Sequence, residues 1–188
     1  MEGSKRTFEV VFVCTGNRYR SPIAEGLLRA ATRELPVRVR SLGTLPIAGE
    51  PAFEEAIEHA RKLGVDLSEH RSRSVEGADL SQADLVVGFE LNHMAKAVVD
   101  AGADRRRTFL LPELVDYLEQ VGPAHGDDDV VARAARAVEA AAELRAQHSP
   151  APPQELADPA GRSPKEGEQA VEQIAGLTSR VARLLFPG

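Results

Sequence analysis

The sequence predicts an α/β fold: a four-stranded parallel sheet in the order 2-1-3-4 with helices on both faces, three layers in α/β/α arrangement. Three observations carry the prediction. Short, β-branched apolar runs alternate with segments whose apolar residues recur at helical spacing. The second such run alternates Val with Arg, as an edge strand with one wet face does. The length, 188 residues, suits one such domain and is short for two.

The elements follow in order. Phe8 to Val13 (FEVVFV) is almost wholly apolar, as a central strand buried on both faces should be. Ser21-Pro22 reads as N-cap and first helical position. Ala24, Leu27, Leu28, Ala31 and Leu35 then give a helix its apolar stripe. Val37 to Gly43 (VRVRSLG) is the edge strand. Pro51 opens a second helix, with Phe53, Ala56, Ile57, Ala60 and Leu63 inward and Gly64 as its stop. Val65 to Val75 is a polar loop rich in donors. Asp84 to Phe89 (DLVVGF) is a buried strand, followed by a helix lined by Leu91, Met94, Val98 and Val99 that ends near Gly102. Thr108 to Leu111 (TFLL) is the fourth strand. The last helix runs from about Lys165 to Leu185 on Ala170, Ile174, Leu177, Val181 and Leu184.

Between these, residues 117–153 change in composition. They read as an Ala-rich helical insertion in a single domain spanning 1–188. Asp127, Asp128 and Asp129 at its front and Arg145 and His148 at its back complement a helix dipole. Its small apolar face predicts a loosely packed surface helix between linkers holding Pro123 and Pro150, Pro152 and Pro153.

Composition excludes several classes of function. A net charge of -6 gives no global attraction to nucleic acid or anionic membrane. No apolar run reaches the length of a membrane span. The opening MEGSKRTFEV lacks the apolar region of a secretory signal. One cysteine excludes an internal disulfide and a Cys-based zinc cluster. The histidines (His59, His70, His93, His125, His148) show no metal-ligand spacing. The expectation is a cytoplasmic protein that needs no metal and no cofactor.

With the edge strand second, the sheet's switch point falls between strands one and three, and ligands bind there at the carboxyl ends. The only cysteine, Cys14, ends strand one, in VFVCTGNRYRSP. The amides of a strand-to-helix loop form an anion nest, the helix N-terminus adds partial positive charge, and Arg20 adds a full one. All three stabilise a thiolate, which is a nucleophile. The five intervening residues, Thr15, Gly16, Asn17, Arg18 and Tyr19, are enough to wrap a tetrahedral dianion with their amides. Gly16 permits a φ that other residues resist, and Asn17 tolerates it. Arg20 grips two phosphate oxygens with its planar fork, and Ser21 donates to the sulfur.

CTGNRYRSP resembles the signature loop of the low-molecular-weight protein tyrosine phosphatases and of the arsenate reductases that share their fold. Ser41-Leu42-Gly43-Thr44, Gly64-Val65-Asp66-Leu67-Ser68-Glu69-His70 and Asp158-Pro159 match further family segments in order. The resemblance implies a phosphomonoester hydrolase working through a cysteinyl-phosphate, acting on a phosphorylated protein or small phosphomonoester, with Asp158 as general acid and base. It also implies a loop-supporting network of Asn17, Ser41 and His70. A reductase coupled to an external small thiol and a non-catalytic phosphate-binding module are the alternatives.

This sequence departs from the family at four places. Arg18 stands where the family has an apolar residue or Thr; its side chain either reaches into water or adds a second cation at the pocket mouth, favouring acidic or multiply phosphorylated substrates. Tyr19 replaces a frequent second cysteine. Ala160-Gly161 stands where many members have aromatics, and Leu45 to Pro51 also lacks an aromatic, so a phenyl ring is expected to find few stacking walls.

Overall fold

β1 (Phe8–Cys14) is buried along its whole length except at Glu9. It pairs with β2 (Val37–Gly43) on one side and β3 (Leu85–Gly88) on the other, and β4 (Thr108–Leu110) lies beyond β3. All pairings are parallel and the order is β2-β1-β3-β4, as the position of the Val/Arg strand predicts. The computed structural model describes residues 6–126, 129–148 and 152–187; Asp127, Asp128 and Pro150 lie outside them.

The pleat of β1 sorts its side chains between two layers. Phe8, Val10, Phe12 and Cys14 face a core shared with α1 (Arg20–Ala31), α2 (Glu54–Lys62), α4 (Leu111–Val121), α5 (Val130–Gln147) and α6 (Pro164–Leu185). Val11 and Val13 face α3 (Leu91–Ala101) and the segment around Val75 and Leu80. Cys14 is therefore the last residue of a strand buried on both faces, at the carboxyl crest of the sheet.

Several elements differ from the sequence expectation. α1 begins at Arg20, with Tyr19 as an N-cap whose side chain makes no bond to the helix amides. Ser21 does not cap the helix, because its hydroxyl is engaged with Asn17 and Cys14. α2 begins after Phe53, since Pro51 is held in a bridge to Arg71. On α3 the inward face carries His93, Ala97 and Ala101, whereas Leu91 and Val99 are exposed, Val99 at 80%. The helix lies so close to β3 that a Cβ on Gly88 would come within 3.2 Å of His93 and Met94. Leu111 ends no strand; it starts α4, which buries Leu114, Val115 and Leu118.

The Ala-rich segment is the largest correction. α5 is not a loosely packed surface helix, for Val131, Ala134, Ala137, Val138, Ala141 and Ala142 are buried in the same core as β1 and α6. Small side chains let the helix axis come close, so a modest apolar face is covered completely. Asp129 caps its start by accepting from the Ala132 amide at 2.9 Å. Near its end Arg145 donates to the carbonyls of Thr108 and Arg105 and lies 3.9 Å over the Phe109 ring. α6 begins at the Ser163 cap and buries Val171, Ile174, Thr178, Val181 and Leu185, with Ala170, Leu177 and Leu184 half-buried beside them. Among the described residues no helix is long and apolar enough to cross a membrane, and no cluster of His, Cys, Asp and Glu is suited to a metal ion.

Candidate active site

The loop from Cys14 to Arg20 joins the end of β1 to the start of α1. Four of its carbonyls bond outward to the scaffold. Thr44 N–H donates to Cys14 O (2.9 Å), Leu45 N–H to Thr15 O (3.0 Å) and Phe53 N–H to Arg18 O (3.0 Å). His70 Nε2 lies 2.7 Å from Asn17 O and, since a carbonyl only accepts, is the donor. In a trans peptide the N–H points opposite to the C=O. The amides of Thr15, Gly16, Arg18 and Tyr19 therefore turn to the inside of the loop, where none has a hydrogen-bond acceptor among the described residues. The first turn of α1, free of any side-chain cap, adds its own amides. The result is the anion nest the motif predicts.

The backbone reversal that closes the nest is at Asn17, with φ 52°; Gly16 has no such φ, contrary to expectation. Asn17 is fully buried and every polar atom of its side chain is used. Nδ2 donates to Ser41 Oγ (2.7 Å) and Ser21 Oγ (3.0 Å), and Oδ1 accepts from Arg73 N (2.8 Å). The glycine that matters is Gly43, whose Cβ would lie 2.9 Å from Asn17 N, Gly16 C and Thr15 O. The end of β2 thus braces the back of the loop through a residue without a side chain. Burial lowers the pKa of His70 and favours its neutral form.

Cys14 is 2% exposed, with Sγ 3.0 Å from Ser21 Oγ. Ser21 Oγ already accepts from Asn17, and its proton lies between the sulfur at 3.0 Å and the more distant Leu42 carbonyl at 3.5 Å. Arg20, 1% exposed, lies across the mouth of the nest. Its Nη1 pairs with the Glu90 carboxylate and donates to Leu156 O (2.8 Å). Its Nη2 donates to Thr15 Oγ1 (3.1 Å) and Asp158 Oδ2 (2.7 Å). Its Nε is buried and has no partner among the described residues. Asp158 is 40% exposed on a loop fixed by Leu156 N–H to Phe89 O and by Ala160 N–H to Asp158 Oδ1. Arg20 and Asp158 are thus in direct contact, and Cys14 stands at the other end of the same loop as Arg20.

Two side chains of the loop are held by the scaffold. Tyr19 turns its ring away from the nest into the core, 3% exposed, with its hydroxyl 2.7 Å from His59 Nδ1. Burial first, then Glu55 and Asp158, push that phenol up to about 12. Only its amide faces the loop. Arg18 does not reach freely into water: its Nε donates to Pro51 O (2.7 Å) and its guanidinium lies 4.2 Å over the Phe53 ring. Phe53, two residues past the stretch that lacks an aromatic, therefore supplies a ring beside the loop, 37% exposed.

Four polar residues escaped the sequence reading. Glu25, buried, accepts from Ser41 Oγ and pairs with Arg29 and Arg73. Glu90 binds Arg20, Thr15 Oγ1 meets Nε2 of the buried His93 at 3.0 Å, and Arg73 bonds Asn17. The signals were a carboxylate four residues after Ser21 on a buried helix face, and the spacing Glu90-x-x-His93 at a helix start.

A parallel α/β sheet whose crest carries a thiol, a nest of free amides and a buried arginine defines a thiol-dependent enzyme for tetrahedral oxyanions. The family model described as low molecular weight phosphotyrosine protein phosphatase matches residues 9–144, and the chain belongs to that family of cysteine-dependent phosphatases. It is 33% identical over 121 residues to the low molecular weight protein-tyrosine-phosphatase Etp of Escherichia coli K12, covering 64% of this chain and 80% of that one. It is 34% identical over 121 residues to the protein-arginine-phosphatase of Bacillus subtilis, covering 63% and 76%. A crystal structure of the low molecular weight protein tyrosine phosphatase from T. tengcongensis superposes with a TM-score of 0.67 at 26% identity, over 93% of this chain and 97% of that one. A structure of the YwlE arginine phosphatase, a cysteine-to-serine mutant with phosphorylated active site serine, superposes with a TM-score of 0.68 at 25% identity, over 96% and 97%.

Proposed function

We propose that this phosphatase hydrolyses protein-borne aryl phosphomonoesters in two steps, with Cys14 as nucleophile and Asp158 as general acid and then base. The observation that carries the reading is the inward-facing set of unpartnered amides with the unpartnered Nε of Arg20 at its mouth and Cys14 Sγ at its floor. Such a set suits the oxygens of a phosphoryl group, which the sulfur would attack opposite the leaving oxygen.

An incoming phosphoryl group takes over Arg20 Nη2 from Asp158, so the carboxyl is freed to meet the leaving oxygen. The sulfur attacks phosphorus, the P–O bond to the ester oxygen breaks, and Asp158 gives that oxygen a proton. The Asp158 carboxylate then takes a proton from water, the hydroxide attacks phosphorus, and the S–P bond breaks to regenerate the thiolate with the Ser21 hydroxyl stabilising it. Amides and guanidinium hold the equatorial charge throughout. The phosphorylated serine of the arginine phosphatase supports a covalent intermediate of this kind.

The partly exposed Phe53 ring beside the loop supports an aromatic leaving group. A lone nucleophilic thiol, which has to stay reduced, supports a cytoplasmic setting. The test compares wild type with Cys14→Ser and Asp158→Asn on p-nitrophenyl phosphate, on phosphotyrosine, phosphoserine and phosphoarginine peptides, and on arsenate with small thiols. Hydrolysis of the aryl substrates is expected, abolished in Cys14→Ser. Asp158→Asn should lower kcat on phosphotyrosine by about 100-fold or more. Turnover of arsenate alone, or phosphate binding without any turnover, would overturn the reading.

A further inference from the structure

The hydroxyl of Thr15 has one proton and two lone pairs, and the structure accounts for both lone pairs. Arg20 Nη2 donates to it at 3.1 Å. His93 Nε2 lies 3.0 Å away on the other side. The tautomer of His93 follows from its other nitrogen: Nδ1 faces the N–H groups of Glu90 (3.1 Å) and Phe89 (3.3 Å), both donors only. Nδ1 therefore accepts, Nε2 carries the hydrogen, and His93 donates to Thr15. Burial and the Arg20 charge lower the His93 pKa to about 4, which keeps this neutral tautomer at pH 7. With both acceptor positions filled, the Thr15 proton has to leave in a third direction, and no acceptor for it exists among the described residues.

We propose that His93 is a positioning residue: it holds the Thr15 hydroxyl so that its proton is donated to the phosphoryl group bound in the loop. Thr15 then adds a side-chain donor to the amides and the guanidinium. His93 touches no substrate atom and acts only through Thr15. The proposal rests on the phosphatase reading above and extends it to two side chains, neither of which belongs to the amide nest or carries a reaction proton.

The experiment separates positioning from a merely structural role by using two conservative replacements of one histidine. Glutamine puts an amide N–H where Nε2–H was, keeping the donor to Thr15. Asparagine puts a carbonyl where Nδ1 was, keeping the acceptor for Phe89 and Glu90 but losing the donor. Inorganic phosphate and vanadate are titrated as protectants of Cys14 against iodoacetamide, which reads anion affinity without turnover, and p-nitrophenyl phosphate gives kcat/KM. His93→Gln should stay within about threefold of wild type, while His93→Asn and Thr15→Val each lose about 10- to 100-fold in both readouts. His93→Asn should add little to Thr15→Val, because both remove the same bond.

The reverse pattern, with Asn tolerated and Gln damaging, would leave His93 a backbone cap and overturn the proposal. So would phosphate affinity in Thr15→Val equal to wild type, an outcome that decides the matter even if a His93 variant fails to fold. A wild type that neither turns over nor is protected by phosphate would instead strike at the phosphatase reading itself.

Discussion

At the scale of single residues, Arg18 distinguishes this site from a neutral pocket. Stacking on Phe53 and the bond from Nε to Pro51 O fix its guanidinium at the loop's edge, with no carboxylate partner among the described residues. Its outer N–H groups have no hydrogen-bond partner among the described residues, and a pre-organised guanidinium favours a carboxylate on a substrate that comes within reach. Arg18→Ile should therefore lower kcat/KM for acidic phosphotyrosine peptides by about 3- to 10-fold, with p-nitrophenyl phosphate nearly unchanged. Equal losses on both substrates would show that Arg18 only shapes the loop. This residue also marks what sequence reading reaches. Cys14 and Arg20 were readable as candidates from the residue types and spacing of one strand-to-helix loop, whereas Asp158 was readable only through the resemblance of its Asp-Pro to a family segment. The stacking of Arg18 was not, since it depends on where the chain returns at Phe53, more than thirty residues later.

At the scale of elements, the strands were legible and the helix faces less so. A central strand has only one reading when every residue from Phe8 to Val13 but one is apolar. A helix has a choice of faces, and tertiary closeness makes it. α3 turns Ala97 and Ala101 inward and leaves Val99 in water because its axis runs close to Gly88. α5 was misjudged for the same reason: alanine reads as weakly apolar, yet a row of alanines is what allows two helices to touch. That row gives a test. Ala141 is fully buried, and Ala141→Leu has no space to enter. It should cost about 1–3 kcal/mol in chemical denaturation, with phosphate protection of Cys14 intact, since α5 lies away from the loop. Unchanged stability would mean that α5 does sit loosely, as its composition alone suggests.

At the scale of the whole molecule, the site is an intersection. Segments around Cys14, Ser41, Phe53, His70, Phe89 and Asp158 meet only when the sheet is complete, so active-site electrostatics and global stability are coupled. Two histidines join them, His93 buried and His70 half-buried. His70 and His93 both have pKa values lowered from 6.5, chiefly by burial, His93 to about 4. Arg20 also lowers His93, while the Glu90 and Asp158 carboxylates oppose it. The unfolded chain therefore binds more protons than the folded one as pH falls below 6.5. The stability from keeping these rings neutral is complete above that pH and is lost progressively toward pH 4. For His93 alone the loss is roughly 3 kcal/mol across the window. His93→Gln, which retains a donor toward Thr15 but does not titrate, should flatten the dependence of unfolding free energy on pH between 6.5 and 4 by close to one proton, leaving the residual slope of His70 and the carboxylates. Denaturant titrations at pH 7, 6 and 5 read this directly. If wild type and His93→Gln lose stability in parallel over that range, His93 is not the group that makes the fold acid-sensitive, and the neutral ring that Thr15 depends on would have to be sought in a different protonation state.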